Sequence, residues 1–124
     1  MLAEKEIPSV SIIVPTYNEK DNIPELIKNI FSIVKKDKID LEIVIVDDNS
    51  PDGTGDVAGE LAKKYPLQLV SRPGKSGLSS AVLDGMKSAK GDIIGVMDGD
   101  LSHDPVIIPK MIDAIARQKN ELVV

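Results

Sequence analysis

Short β-branched runs alternate with stretches of helical period along nearly the whole chain, and that alternation leaves few folds open. Ser9 to Val14 is an apolar run closed by Pro15 and reads as a buried strand. A helix follows, with Asp21 or Asn22 as candidate cap, Pro24 in its first turn, and Ile23, Leu26, Ile27, Ile30 and Val34 as its apolar stripe. Leu41 to Val46 is the second strand, and Asp47 to Gly55 is a polar loop. The second helix carries Val57, Leu61 and Tyr65 and stops at Pro66; Leu67 to Val70 is the third strand. Beyond the basic loop Arg72 to Gly77, a third helix uses Leu78, Ala81, Val82, Met86 and Ala89, with Gly91 as its C-terminal cap. Ile93 to Met97 is the fourth strand. Asp104-Pro105 opens a helix with Ile108, Met111, Ile112 and Ile115 inward, and Leu122-Val123-Val124 begins a fifth strand.

Strands that are apolar on both sides and separated by helices form a parallel sheet covered on both faces. Right-handed crossovers then give an open, mainly parallel α/β sheet flanked by helices, in one domain over 1–124. The chain stops at the edge of an element, as a truncated or small version of such a fold would. The terminal Leu122-Val123-Val124 would leave an apolar edge, which favours self-association.

Aromatic residues make up only 2% of the chain, so the core must be aliphatic and exposed bases would find little to stack on. The net charge of −5 argues against a duplex partner, so nucleic acid is not expected. Acidic residues near a phosphate ligand make sense only with a cation between them. The absence of cysteine excludes disulfides and thiolate metal sites, which fits a cytoplasmic location. No apolar run approaches the ~20 residues that span a bilayer, so any membrane contact would be peripheral, at a cytoplasmic face, or through a missing part.

Three strands end in polar residues that add little to a core: Pro15-Thr16-Tyr17-Asn18-Glu19, Asp47-Asp48-Asn49-Ser50 and Asp98-Gly99-Asp100. Ligands of open parallel sheets bind beyond the carboxyl ends of the strands, where strand order reverses. An order 3-2-1-4 would bring all three ends to one crevice. Asp98 and Asp100 would repel each other unless a hard cation such as Mg2+ or Mn2+ lay between them and phosphate oxygens. Gly99 would let the backbone approach the ligand. For these residues a solvated turn with a helix cap is the bland alternative, and the flanking strand and Asp104-Pro105 favour metal.

Of Asp47 and Asp48, one would accept from a nucleobase or ribose and the other would orient the loop; Asx-turn chemistry is the competing explanation. Glu19 would accept from a ribose hydroxyl with Tyr17 as a packing face, or be only a helix-start acid beside a half-buried tyrosine. Arg72 and Lys75 would face a pyrophosphate or, the reading favoured for two such charges, lie in a solvated loop. His103 is read as a surface histidine, although its place after Asp100 admits a role near the metal. No Gly-x-Gly-x-x-Gly follows the first strand, Gly74-Lys75-Ser76 lacks the earlier glycine of a phosphate-binding loop, and one histidine leaves little room for a nucleophilic triad.

Val14-Pro15-Thr16-Tyr17-Asn18-Glu19, Asp47 to Thr54, Arg72 to Leu78, and Asp98 to His103 together resemble the family 2 glycosyltransferases, closest to the dolichol-phosphate mannose synthases. The resemblance implies a GT-A fold, Rossmann-like, with a nucleotide-sugar donor and a divalent metal, Mg2+ or Mn2+. It implies that Pro15, Tyr17, Glu19, Val46 and Asp48 line the nucleoside pocket, and that Asp98, Gly99 and Asp100 form the metal-diphosphate site, with Asp98 and Asp100 as catalytic metal ligands. Gly99 stands where many relatives have alanine. The expected reaction is inverting transfer of a hexose, mannose from GDP-mannose, to a polyprenyl phosphate such as dolichyl phosphate. A phosphate acceptor is already anionic and needs little from a general base, which fits the lack of an obvious one. Relatives of this kind continue into an acceptor-binding half, so donor binding is expected more firmly than turnover. Two alternatives come from other classes. One is Mg2+-dependent phosphotransfer of the receiver or haloacid-dehalogenase kind, which should carry its acidic motif on the first strand; the other is a non-catalytic nucleotide-sugar-binding module.

Overall fold

The structure is a computed structural model that describes residues 9–36, 39–74, 77–102 and 104–118. Four strands alternate with four helices: β1 (Ser9–Thr16), α1 (Ile23–Lys36), β2 (Asp40–Asp47), α2 (Thr54–Ala62), β3 (Leu67–Ser71), α3 (Leu78–Ser88), β4 (Ile93–Val96) and α4 (Ile107–Gln118). All pairings are parallel and the order is β3-β2-β1-β4, so the chain reverses direction across the sheet at β1. The proposed fifth strand at Leu122-Val123-Val124 lies outside the described residues.

Alternation along the strands sorts the core into two layers. Val10, Ile12 and Val14 of β1 and Leu41, Ile43 and Ile45 of β2 face α1, α2 and α4. Ile13, Val44 and Val46 face α3. The α1 stripe is as the 3.6-residue period expects: Ile23, Leu26, Ile27, Ile30 and Val34 are all buried. The Asn22 carbonyl accepts from the Leu26 N–H, and the Glu19 carbonyl accepts from both Asn22 and Ile23, closing the first turn. Tyr65 falls beyond α2 and stacks on Phe31, with ring centroids 5.1 Å apart.

Two details of α3 differ from the sequence expectation. Its buried residues are Ala81 and Gly85, while Leu78 and Met86 are exposed. The reason is close packing: a Cβ on Gly85 would lie 2.7 Å from Ile13 Cγ2, so the helix meets the sheet through small residues and only a narrow stripe is covered. Gly91 is not a helix cap, because α3 ends at Ser88 with Ala89 extended. Gly91 instead passes so near β1 that a Cβ there would meet the Ser11 backbone nitrogen at 2.6 Å. In α4, Ile108 is buried and Met111 and Ile112 are half-buried. The side chain of Ile115 lies outside the described residues. Among the described residues no helix is long and apolar enough to cross a membrane.

Candidate functional site

β1 runs past the end of β4. Its last partner there is Ile13 with Val96, followed by a Met97 N–H to Ile13 carbonyl bond. Pro15 has no N–H, and by the strand's alternation its nitrogen points to the side from which β4 has already departed. The end of β1 therefore stands between two diverging strand ends. On one side Thr16 pairs with Asp47, donates its hydroxyl to Asp47 Oδ1 at 2.8 Å, and accepts the Asp48 N–H at its carbonyl. On the other side a Cβ on Gly99 would lie 3.2 Å from Thr16 Cγ2 and Ile23 Cδ1 and 3.5 Å from Glu19 Cγ. The three polar strand ends thus meet at Thr16 and Glu19, as an order 3-2-1-4 requires.

Each of these three loops contains a non-glycine residue in the left-handed region: Asn18 at φ 58°, Asn49 at φ 55° and Leu101 at φ 66°. Asparagine tolerates that conformation, whereas leucine pays roughly 1–2 kcal/mol for it. Such strain collects at functional loops held from outside. Leu101 is held by packing against the core.

Asp47 and Asp48 divide their tasks. Asp47 organises its loop, accepting from Thr16 Oγ1, Ser50 N and Ser50 Oγ. Asp48 turns to the α3 side and forms a two-point ion pair with Arg72, through Nε to Oδ1 and Nη2 to Oδ2. Arg72 is 7% exposed, which overturns the expectation of a solvated loop. Its remaining hydrogens go to Ser80 Oγ, Asp84 Oδ2 and the Gly77 carbonyl. All five guanidinium donors are thereby engaged, and none is left for a pyrophosphate. The hydrogen bond to Asp48 holds the Arg72 pKa above its ordinary value, and the hydrogen bond from Arg72 holds the Asp84 carboxyl below its own.

The other expected site residues are placed as follows. Pro15 and Glu19 are half-buried at the crevice, and Tyr17 is exposed beside them. Val46 is fully buried among the residues under α3, so its side chain lines no crevice. Gly99 is buried against Thr16, Glu19 and Ile23, where a Cβ would be a tight fit against their side chains. Asp98 and Asp100 are both exposed, and Asp100 Oδ1 accepts the Ser102 N–H at 2.9 Å. Lys75 and His103 lie outside the described residues.

Among the described residues no three His, Cys, Asp or Glu side chains are grouped to hold a metal. Among the described residues an ion at Asp98 and Asp100 would take these two carboxylates and leave positions for phosphate oxygens and water. That oxygen-only donor set fits Mg2+ or Mn2+. The acidic residues follow β2 and β4 and flank β1, whereas a phosphotransfer site of the receiver or dehalogenase kind would carry its acidic motif on β1 itself.

The family profile described as glycosyl transferase family 2 matches residues 11–124. A dolichol-phosphate mannosyltransferase of Pyrococcus furiosus is 50% identical over 106 residues, which is 86% of this chain and 30% of that protein. One from Saccharomyces cerevisiae is 39% identical over 107 residues, 85% of this chain and 40% of the relative. The solved mannosyltransferase of Pyrobaculum calidifontis, in complex with GDP-Man and Mn2+, superposes with a TM-score of 0.74 at 32% identity, over 91% of this chain and 33% of that one. The chain thus spans well under half the length of these relatives.

Proposed function

This chain belongs to glycosyl transferase family 2, and on that premise we propose that it carries the nucleotide-sugar site of a metal-dependent, inverting mannosyltransferase. The observation that carries the reading is the meeting of three polar strand ends at Thr16 and Glu19, with Asp48 on one side and Asp98-Gly99-Asp100 on the other. The donor is GDP-mannose, by similarity to a relative solved with GDP-Man and Mn2+. The acceptor is a polyprenyl phosphate, by similarity to the dolichol-phosphate mannosyltransferases.

In this reading Tyr17 packs on the nucleoside and Glu19 accepts from the ribose. Asp48, fixed by Arg72, accepts from the base or ribose through an oxygen lone pair that Arg72 does not use. Asp98 and Asp100 present exposed carboxylates toward the diphosphate and would hold Mg2+ or Mn2+ there. When bound, the ion supplies charge neutralisation for the departing diphosphate. A phosphate acceptor is anionic near neutral pH and attacks without a general base.

The test is calorimetric titration with GDP and GDP-mannose in Mn2+ and in EDTA. Asp98→Asn and Asp100→Asn are expected to weaken Mn2+-dependent binding by about tenfold or more, since each removes a charged ligand, with unchanged circular dichroism. Asp48→Ala is expected to weaken free GDP as well as GDP-mannose. Unchanged affinity in both Asp98 and Asp100 variants would remove the metal assignment; a loss at Asp48 seen only with the sugar attached would move that residue out of the nucleoside pocket.

A further inference from the structure

The loop after β1 is held by its neighbour in an unusual way. Three consecutive backbone amides, those of Asn18, Glu19 and Lys20, donate to side chains of the loop after β2 and of the first residue of α2. Asn18 N–H meets Ser50 Oγ at 2.9 Å, Glu19 N–H meets Thr54 Oγ1 at 3.0 Å, and Lys20 N–H meets Asp52 Oδ2 at 3.2 Å. The two hydroxyls do not choose this orientation alone. Ser50 donates its own proton to Asp47 Oδ1 at 2.6 Å, and Thr54 donates to Asp52 Oδ1. Each hydroxyl therefore points its hydrogen at a carboxylate and its lone pairs at an amide. Asp52 serves as the anchor of this arrangement; hydrogen bonds from Thr54 hold its carboxyl below the ordinary aspartate range.

We propose that Ser50, Asp52 and Thr54 are positioning residues, which hold the Tyr17–Lys20 loop in the shape that presents Tyr17 and Glu19 to a nucleoside. None of the three need touch the ligand. Asn18 sits at φ 58°, a sparsely populated conformation that surrounding contacts select over the alternatives. Successive amides of this kind can otherwise act as an anion nest. Here they are already occupied by protein oxygens, so the loop is a scaffold for side chains rather than a phosphate cradle. The proposal rests on the nucleoside-pocket reading above.

The experiment compares Thr54→Val, Thr54→Ser and Ser50→Ala with the unaltered protein, at a temperature where circular dichroism shows all of them folded. Two probes are titrated by calorimetry: GDP without metal, and inorganic pyrophosphate with Mn2+. Loss of one such hydrogen bond is expected to weaken GDP by about three- to tenfold in Thr54→Val and Ser50→Ala. Thr54→Ser restores GDP binding to within about twofold of the unaltered protein. Pyrophosphate with Mn2+ is expected to be unaffected, because Asp98 and Asp100 follow β4, on the opposite side of β1 from the residues after β2 that include Ser50 and Thr54. GDP binding that is unchanged in both hydroxyl-free variants, or lost together with pyrophosphate binding, overturns the proposal. Amide hydrogen exchange at Asn18, Glu19 and Lys20 supplies a readout without ligand, expected to quicken in Thr54→Val and Ser50→Ala while β1 and β2 stay protected. If the unaltered protein binds no GDP, the nucleoside reading fails and the ligand role with it. The exchange rates then decide separately whether these side chains hold the loop.

Discussion

Arg72 is the residue whose surroundings depart furthest from its appearance in the sequence. Next to Pro73, Gly74 and Lys75 it has the look of a solvated basic loop, yet its guanidinium is buried and fully engaged. Its partners Asp48, Ser80 and Asp84 lie 24, 8 and 12 positions away, and no local period connects them. Burial of a charge is decided by such long-range pairing, which pattern reasoning does not see. Arg72→Met should destabilise the fold by about 2–3 kcal/mol, because it strands the Asp48 carboxylate without its fork. Arg72→Lys should recover only part of that, since an ammonium cannot match two oxygens at once. Urea unfolding measures both, and the Arg72→Met/Asp48→Asn double variant should be less destabilised than the sum of the single ones. Additive losses would show that the pair contributes nothing as a pair. The position of these acids was legible, because each pair follows an apolar run that forms β2 or β4. Their division of labour was not, since Asp47 and Asp48 differ only in which face of the sheet each side chain takes.

The elements were easier to read than their contacts. β1 and β2 were recognisable as β-branched runs, and α1 by five apolar positions at helical spacing, each of which is buried. The α3 stripe was misread because apolar spacing measures only what could be buried. Where a helix lies close to a sheet, small residues take the contact and larger ones are left outside. The amino ends of the strands show a second feature that sequence hid. Glu42 of β2 accepts from Ser11 Oγ on β1, Gln68 Nε2 on β3 and the Lys90 N–H in the turn before β4. Burial raises its pKa, but these hydrogen bonds and the nearby Lys90 charge lower it further, leaving it below the ordinary glutamate value. A carboxyl depressed in the folded state adds stability that is fully present above its unfolded pKa of about 4.3 and is lost as pH falls through the folded value. Stability should therefore drop on acidification below about pH 4.3, and Glu42→Gln should flatten that limb while being less stable at pH 7. Urea midpoints measured at pH 7 and on the acid limb check this; equal acid sensitivity in both proteins would exclude Glu42 as a contributor.

At the scale of the molecule the two faces of the sheet are unequal. α1, α2 and α4 cover one face over a core that includes Ile23, Leu26, Ile27 and Ile30, all fully buried. Among the described residues α3 is the one helix on the other face, where Val70, Val82, Ile94 and Val96 are half-buried. The strand order places the end of β1 between the two sets of loops, above strand residues Ile13, Val14, Ile45 and Val46 that are fully buried. Ile30 is fully buried, so its truncation would remove apolar contacts from the core. Ile30→Ala should therefore cost about 2–5 kcal/mol, the range for deleting buried methyl groups and leaving a cavity. Val82 sits half-buried on α3, where water already reaches part of its surface. Val82→Ala should cost about 1 kcal/mol or less, since little apolar area is returned to solvent. Urea unfolding followed by far-ultraviolet circular dichroism gives both values on one scale, and native-state hydrogen exchange should find the α3 amides opening at lower free energy than those of α1. Equal costs at the two positions, or equal protection of the two helices, would mean that α3 is as firmly docked as α1 and that the asymmetry of cover carries no asymmetry of stability.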